Sequence, residues 1–408
     1  MAKPSPTMRG KPTCVLALQG GGALGAYHIG AYQALAEHGF EPDWFSGISI
    51  GAINSAVLAG TPPAERVSRL EELWRLISWP EVFQPLRLLP LEILYNTLSN
   101  AEALVMGQPH FFRPRPLNPF FAPAGPPTLA SFYDTTPMIE TLRRLVDFDL
   151  INAGPVRLTL GATDVETGQV VFFDSANRRK PIGPAHVLAS GSLPPGFAAT
   201  EIDGRFYWDG GCVSNTPAEA VLEDQPKGHT LLFLIDLWNA AGPPPTTMSE
   251  VLWRAKQIQY ASRGHLLAEH LAAKANLRHA AAAVAAASRD GKEQNSTDAA
   301  RAPDADAQPH GQGRLDIFHI IYQPGRDQIP NSDAEFSRSS IEERRAAGYH
   351  DMGALLAQQP WHAPAALAAA SPHGGGGAVL HRVRKGKVET HAAPELSAAA
   401  PGMARTAA

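Results

Sequence analysis

The chain has 408 residues, 44% of them hydrophobic, which is enough for a large buried core and allows one large domain or two smaller ones. Its 35 basic and 39 acidic residues leave a net charge of −4, so no global attraction to nucleic acid or to an anionic membrane is expected. The two cysteines, Cys14 and Cys212, exclude a disulfide framework by number, and both lie in or beside apolar runs where small buried thiols are common.

Residues 1–12 carry Lys3, Arg9 and Lys11 but no apolar signal-peptide region, and no run of about 20 apolar residues occurs anywhere, so a flexible N-terminus and a cytoplasmic location are expected. The apolar run 13–19 then leads into Gly20-Gly21-Gly22-Ala23-Leu24-Gly25, and an apolar-periodic helix follows over 26–37. A glycine-rich loop between strand and helix leaves backbone N–H groups unpaired and directs the positive end of the helix dipole at one point, where an anion can be held. The same glycines match a dinucleotide-binding fingerprint with Asp43 as the ribose acid. That acid belongs at the carboxyl end of the second strand, whereas Asp43 precedes the apolar run 44–50, which counts against a nucleotide.

Residues 45–54 read as a buried strand turning abruptly into a helix that stops near Gly60, with Ser49 at the turn inside Gly47-x-Ser49-x-Gly51. A serine hydroxyl becomes a useful nucleophile when held clear of its neighbours, near a base and near donors for developing negative charge. Its plain alternative is a helix N-cap in a glycine turn.

Residues 61–130 are the least regular stretch. A helix with Leu70, Leu73, Trp74 and Ile77 on one face is followed by proline-rich sequence holding Phe111, Phe112, Phe120 and Phe121. One reading is a long loop packed on the core; the other is a lid that covers Ser49 and offers apolar surface to a substrate. Order resumes with a helix over 136–146, given a capping box by Thr136 and the acids near Glu140, and a β-hairpin around Glu166-Thr167-Gly168. A helix over 184–190 and a loop over 191–196 lead to a strand ending in Asp209-Gly210-Gly211, which places a carboxylate at a strand end freed by glycines. A short helix over 217–222 and the continuous apolar strand 230–237 complete a pattern of strands buried on both faces, the signature of a parallel α/β sheet.

Residues 249–288 have helical spacing, and Arg254, Lys256, Arg263, Glu269, Lys274 and Arg278 interrupt it too often for a membrane anchor. A polar mobile loop over 288–314, a strand over 315–322 and a helix over 337–352 follow. Beyond about residue 370, glycine, alanine and scattered Arg382, Arg384, Lys385 and Lys387 read as a solvated, disordered tail.

Taken together and in this order, Gly20-Gly21-Gly22-x-x-Gly25, Gly47-x-Ser49-x-Gly51 and Asp209-Gly210-Gly211 resemble the blocks of the patatin-like phospholipases, serine lipid acyl hydrolases, with Ala189-Ser190-Gly191-Ser192-Leu193-Pro194 as a lesser block. The resemblance spans residues 13–240 and implies a three-layer α/β/α fold with a mainly parallel central sheet, followed by a helical C-terminal extension. It implies a catalytic dyad of Ser49 and Asp209, an oxyanion hole framed by Gly20, Gly21, Gly22 and Gly25, and supporting glycines at 47, 51, 210 and 211. One departure stands out: many patatins carry Arg or Lys where this chain has Leu24. The expected organisation is a catalytic domain over 13–240 with the lid-like insertion 61–130, a helical extension over 241–287, a disordered loop over 288–314, a strand and helix over 315–370 packed on the core, and a disordered tail over 371–408.

The chemical rival is a Ser-His-Asp enzyme, for which His28, beside the glycine loop, is the histidine to test; on an amphipathic helix it is more often a packing or surface residue. No His/Cys/Asp/Glu cluster has metal-ligand spacing, so neither metal nor cofactor is expected. The expected partner is a lipid or other acyl ester, with contact at a membrane surface allowed and no nucleic acid. A thioester or hydroxyalkanoate ester is the substrate alternative, and a lipid-binding protein with weak catalysis the alternative of another class.

Overall fold

A computed structural model describes residues 11–78, 105–224, 228–261, 264–293, 314–325, 331–362 and 377–392. The continuous apolar runs become strands β1 (Thr13–Leu18), β2 (Trp44–Ile48), β5 (Arg157–Asp164), β9 (Thr230–Asp236) and β10 (Arg314–Ile321), and nearly every residue in them is buried. A strand apolar at successive positions needs cover on both faces, and it receives it. Leu16, Leu18, Phe233, Ile235, Phe318 and Ile320 belong to the core on one face, and Val15, Ala17, Leu232, Leu234, Leu315 and Ile317 to the core on the other.

The sheet runs β12 (Lys387–Ala392), β11 (Gly377–Arg384), β10, β9, β1, β2, β5, β8 (Arg205–Asp209) and β7 (Thr200–Ile202), with β6 (Val170–Asp174) also paired to β5. All pairings from β11 through β5 are parallel. The outer pairings are antiparallel: β12 on β11, β6 and β8 on β5, and β7 on β8. A separate short ladder joins β3 (Arg113–Pro114) to β4 (Tyr133–Asp134).

Helices α1 (Tyr27–Glu37), α2 (Ile50–Ala59), α3 (Arg66–Leu76), α4 (Thr136–Leu145) and α5 (Phe148–Ala153) contribute to the first core, as does α6 (Pro184–Ser190). After the short α7 (Glu219–Glu223) come α8 (Met248–Ala261), α9 (Gly264–Glu293) and α10 (Arg338–Gln358). Helix α9 covers the second face through Ala268, Leu271 and Ala272, while α10 packs on α1, so the architecture is α/β/α as the resemblance implied. The C-terminal elements are part of the sheet and both layers rather than an appendage.

Three expectations change. The segment read as a disordered tail forms an edge hairpin over 377–392. Ala378, Val379, Leu380 and Val383 are buried, and Lys385 and Gly386 both adopt positive φ (47° and 71°), the left-handed pair that a two-residue hairpin turn needs. On the neighbouring β10, burial alone would raise the Asp316 carboxyl, but hydrogen bonds from His229, His381 and Arg314 hold it down at about 2 and tie β11 to β10. Helix α9 also runs past 288 to Glu293; residues 294–313 lie outside the described residues, as do 1–10, 79–104 and 393–408. Finally, α4 has no capping box. Its N-cap Thr135 makes no side-chain cap, and Asp134 Oδ1 instead accepts from Thr136 N at 3.0 Å and Thr136 Oγ1 at 2.7 Å. Among the described residues no helix is long and apolar enough to cross a membrane.

Candidate active site

The glycine loop follows β1 and Ser49 follows β2, so both stand at the carboxyl ends of neighbouring parallel strands. From β1 the sheet grows one way through β2 and β5 and the other way through β9 and β10, and the crevice outside such a reversal is where open α/β sheets hold ligands.

Ser49 has φ 56° and ψ −126°, a conformation that a residue with a Cβ rarely adopts, at a cost of about 1–3 kcal/mol. The surroundings impose it. Its N–H donates to Ser190 O at 3.1 Å and Ser190 Oγ at 3.0 Å, and Ser190 Oγ in turn donates to Gly161 O at 2.6 Å. Its carbonyl accepts from Ala52 N and Ile53 N as α2 begins. The flanking glycines permit the crossing: a Cβ on Gly51 would collide with the Leu18 carbonyl, and one on Gly47 with the Gly51 carbonyl.

Asp209 ends β8 and is 1% exposed. Its Oδ1 accepts from Gly211 N at 2.7 Å, its N–H donates to Ser192 O at 3.0 Å, and its carbonyl accepts from Thr163 Oγ1 at 2.9 Å. Burial pushes its carboxyl up to about 7, and hydrogen bonds from the Ser49 side chain and the Gly211 amide keep it from rising further. The structure therefore brings the hydroxyl of residue 49 and the carboxylate of residue 209 together. Gly20 adjoins Ser49, since a Cβ built there would lie 2.9 Å from Ser49 Cβ and against Asn215, whose Oδ1 also faces Gly211.

The glycine loop is held from below. Gly20 O accepts from Asn215 Nδ2 at 3.0 Å and Trp238 Nε1 at 2.8 Å. Gln19 Oε1 accepts from Leu237 N and Trp238 N, while its Nε2 donates to Thr216 Oγ1, which donates to Asp236 Oδ1; Asp236 Oδ2 pairs with His319 Nε2 at 2.7 Å. The N–H groups of Gly21 and Gly22 have no acceptor among the described residues and lie in the wall of a cavity of about 370 Å³. Ser49 and Asp209 line the same cavity, and Phe111, Phe112, Tyr133, Phe197 and Phe336 give it an aromatic wall with ring centroids 4.9–6.1 Å apart.

Several sequence-derived positions fall elsewhere. Gly25 does not line the cavity; it packs against Ile50 inside the core, so its place is in the support of α2. Gly210 abuts Gly161, and Gly211 contributes its amide to Asp209. Leu24 is fully buried. Cys14 is buried as expected, but Cys212 is exposed, and desolvation with the nearby Asp209 charge pushes its thiol up to about 12. Asp43 Oδ2 accepts from Cys14 N at 2.9 Å, a bond that ties off the start of β1. His28 is fully buried, its Nδ1 paired with Asn54 Nδ2 at 3.1 Å, and burial lowers it to about 3. Among the described residues no histidine lines the cavity. Ser190, Asn215, Trp238 and the Gln19–Thr216–Asp236–His319 chain were missed as support for the site; only Ser190 had a motif to signal it.

The description patatin-like phospholipase matches residues 16–222, half of the chain, and a second, patatin phospholipase, matches 258–366. The chain belongs to the patatin-like phospholipase family. Members of that family are generally lipid ester hydrolases, and this member has the family fold. Uncharacterised NTE family proteins of Mycobacterium bovis and Mycobacterium tuberculosis are 28% identical over 206 residues, 50% of this chain and 44% of their own length. The match thus spans less than half of those relatives. Among solved structures, VipD from Legionella pneumophila is similar at 14% identity and a TM-score of 0.33, over 83% of this chain and 67% of that one. The type III effector ExoU is similar at 19% identity and a TM-score of 0.24, over 63% and 53%.

Proposed function

We propose that this protein is a serine acyl hydrolase of lipid esters, with Ser49 as nucleophile, Asp209 as its base and the N–H groups of Gly21 and Gly22 as oxyanion donors. The observation that carries the reading is the pairing of the Ser49 side chain with a buried Asp209 carboxylate at the floor of an apolar, aromatic-walled cavity. Asp209 takes the Ser49 proton as Oγ attacks the ester carbonyl, and the tetrahedral oxyanion is met by the loop amides. The carbon–oxygen bond to the alcohol breaks, the proton passes from Asp209 to the leaving alkoxide, and an acyl-serine remains. Water, deprotonated by Asp209, then releases the fatty acid and restores Ser49. Strain at Ser49 favours this role, since it keeps Oγ projecting into the cavity.

A lipid surface is the source of substrate most consistent with the exposed residues. Phe120 and Phe121 are 82% and 80% exposed, and Phe120 packs on Phe132, whose amide bonds to Pro195 on the cavity wall. Helix α8, which reaches the cavity through Lys256 and Tyr260, exposes Met248, Val251, Leu252 and Ile258 at helical spacing. The lid-like role foreseen for 61–130 is divided: Phe111 and Phe112 wall the cavity, Phe120 and Phe121 face outward, and 79–104 lie outside the described residues. The test is hydrolysis of long-chain acylglycerols and phospholipids by wild type, Ser49→Ala and Asp209→Asn, each verified as folded. The wild type should hydrolyse at least one class and both variants should lose at least a thousandfold in kcat; retained activity in either removes its assigned role.

A further inference from the structure

Part of the cavity wall, Asn331, Asp333, Ala334 and Phe336, comes from the C-terminal segment. The 3-10 turn Ser332–Ala334 lies directly on the glycine loop: Gly22 has φ +53°, and a Cβ there would collide with the Asp333 carbonyl. The Arg344 guanidinium of α10 locks the two together, donating to Ala23 O at 3.1 Å, Glu335 O at 2.8 Å and Ser332 O at 3.0 Å. Against this fixed turn, Lys256 of α8 places its ammonium 2.6 Å from Asp333 Oδ1. Both side chains line the cavity that holds Ser49, and among its described lining residues Lys256 is the only cation. The glycine loop itself supplies no charge, because Leu24 points into the core. The positive charge at this site therefore arrives from α8, in the middle of the chain.

We infer that Lys256 is a specificity-determining residue, which selects acyl esters whose alcohol portion carries an anionic group, a phosphate or a carboxylate, close to the scissile bond. The inference rests on the acyl-hydrolase reading of this cavity. An ammonium has three N–H donors, and Asp333 Oδ1 accepts from only one. Asp333 fixes the long lysine stem, so less side-chain freedom remains to be lost when a substrate binds. The pair is partly open, with side-chain exposures of 25% for Lys256 and 17% for Asp333, so an anion can reach it without displacing the fold. Apolar acyl carbons are matched by the aromatic wall, and an anion beside them in such a cavity is poorly solvated unless a cation receives it. Phosphate and carboxylate share that chemistry, and the alcohol portion of the substrate decides between them.

The test uses the full chain and three esters with one acyl group, short enough to stay monomeric: 1-octanoylglycerol, 1-octanoylglycerol 3-phosphate and octanoyl 3-hydroxybutyrate. The reading is the ratio of kcat/KM on each anionic ester to that on the neutral one, for wild type, Lys256→Met, Lys256→Arg and Asp333→Asn. Wild type should favour at least one anionic ester, and the better one identifies phosphate or carboxylate. Lys256→Met should lower that ratio about ten- to hundredfold, the range of a charge-assisted hydrogen bond, chiefly through KM, and Lys256→Arg should restore most of it. Asp333→Asn retains the cation without its counter-ion and should hold or raise the ratio. A proportional loss on all three esters in Lys256→Met, or a wild type that hydrolyses octanoylglycerol without preferring either anionic ester, overturns the inference while leaving the hydrolase reading in place. A wild type inactive on all three overturns the inference, and the hydrolase reading falls with it when the long-chain lipids are left intact as well.

Discussion

Replacing Asp209 by Asn should stabilise the protein while removing its activity. The Asp209 carboxyl, ordinarily at 3.8, is pushed up to about 7 by burial. A gap of about 3 pH units at about 1.4 kcal/mol each is a penalty of about 4 kcal/mol for carrying the charge above pH 7, and relaxation around the site makes about 2–4 kcal/mol the expected effect. The folded protein retains a proton that the unfolded chain releases between about pH 4 and pH 7. Stability therefore falls as pH rises through that window and is level above it. Asparagine is neutral throughout and its Oδ1 can still accept from Gly211 N, now 2.7 Å from Asp209 Oδ1. Urea unfolding followed by tryptophan fluorescence should show Asp209→Asn more stable than wild type by about 2–4 kcal/mol at pH 8 and by less than about 1 kcal/mol at pH 4. A variant that is less stable at pH 8, or a difference that does not change with pH, refutes the claim that an uncompensated carboxylate is stored there for catalysis.

Because the base must be ionised, kcat/KM on a neutral ester should rise with one proton's dependence through a midpoint near 7 and stay level above it; a profile flat from pH 5 to 8 assigns the base elsewhere. Phe120→Asp combined with Phe121→Asp should reduce hydrolysis of vesicle-bound phospholipid at least tenfold while sparing a monomeric short-chain ester, as neither ring lines the cavity; equal losses on both substrates remove the surface-docking role. Restoring the charge common in the family by Leu24→Arg should not activate the enzyme. It should destabilise the protein by about 3 kcal/mol or more, since residue 24 is enclosed in the core, and a variant of unchanged denaturation midpoint contradicts that placement.

The parts of the site legible in the sequence are those whose geometry is local. The turn at Ser49 needs Gly47 and Gly51 because backbones cross there, and such a requirement leaves its mark within a few residues. The strands at 13–18, 44–48 and 230–236 were equally plain, since burial on both faces forbids polar interruption. What supports the loop was not legible: Asn215 and Trp238 reach Gly20 from about two hundred residues away, and Lys256 meets Asp333 across 77, so no spacing connects them. Gly25 was grouped with the oxyanion loop by motif, yet packing against Ile50 takes it out of the cavity. The hairpin at 377–392 was hidden by its composition. Alanine, glycine and basic residues suggest a solvated tail, while the alternation around Val379 and Val383 and the Lys385-Gly386 turn are short signals that count only once β10 offers an edge to pair with.

Covalent labelling reads directly whether Ser49 is the nucleophile that Asp209 activates. A fluorophosphonate probe incubated with the full chain should give one adduct, located on Ser49 by peptide mass spectrometry, absent in Ser49→Ala and formed at least a hundredfold more slowly in Asp209→Asn. An adduct on another serine, or labelling that proceeds at the wild-type rate in Asp209→Asn, contradicts that assignment.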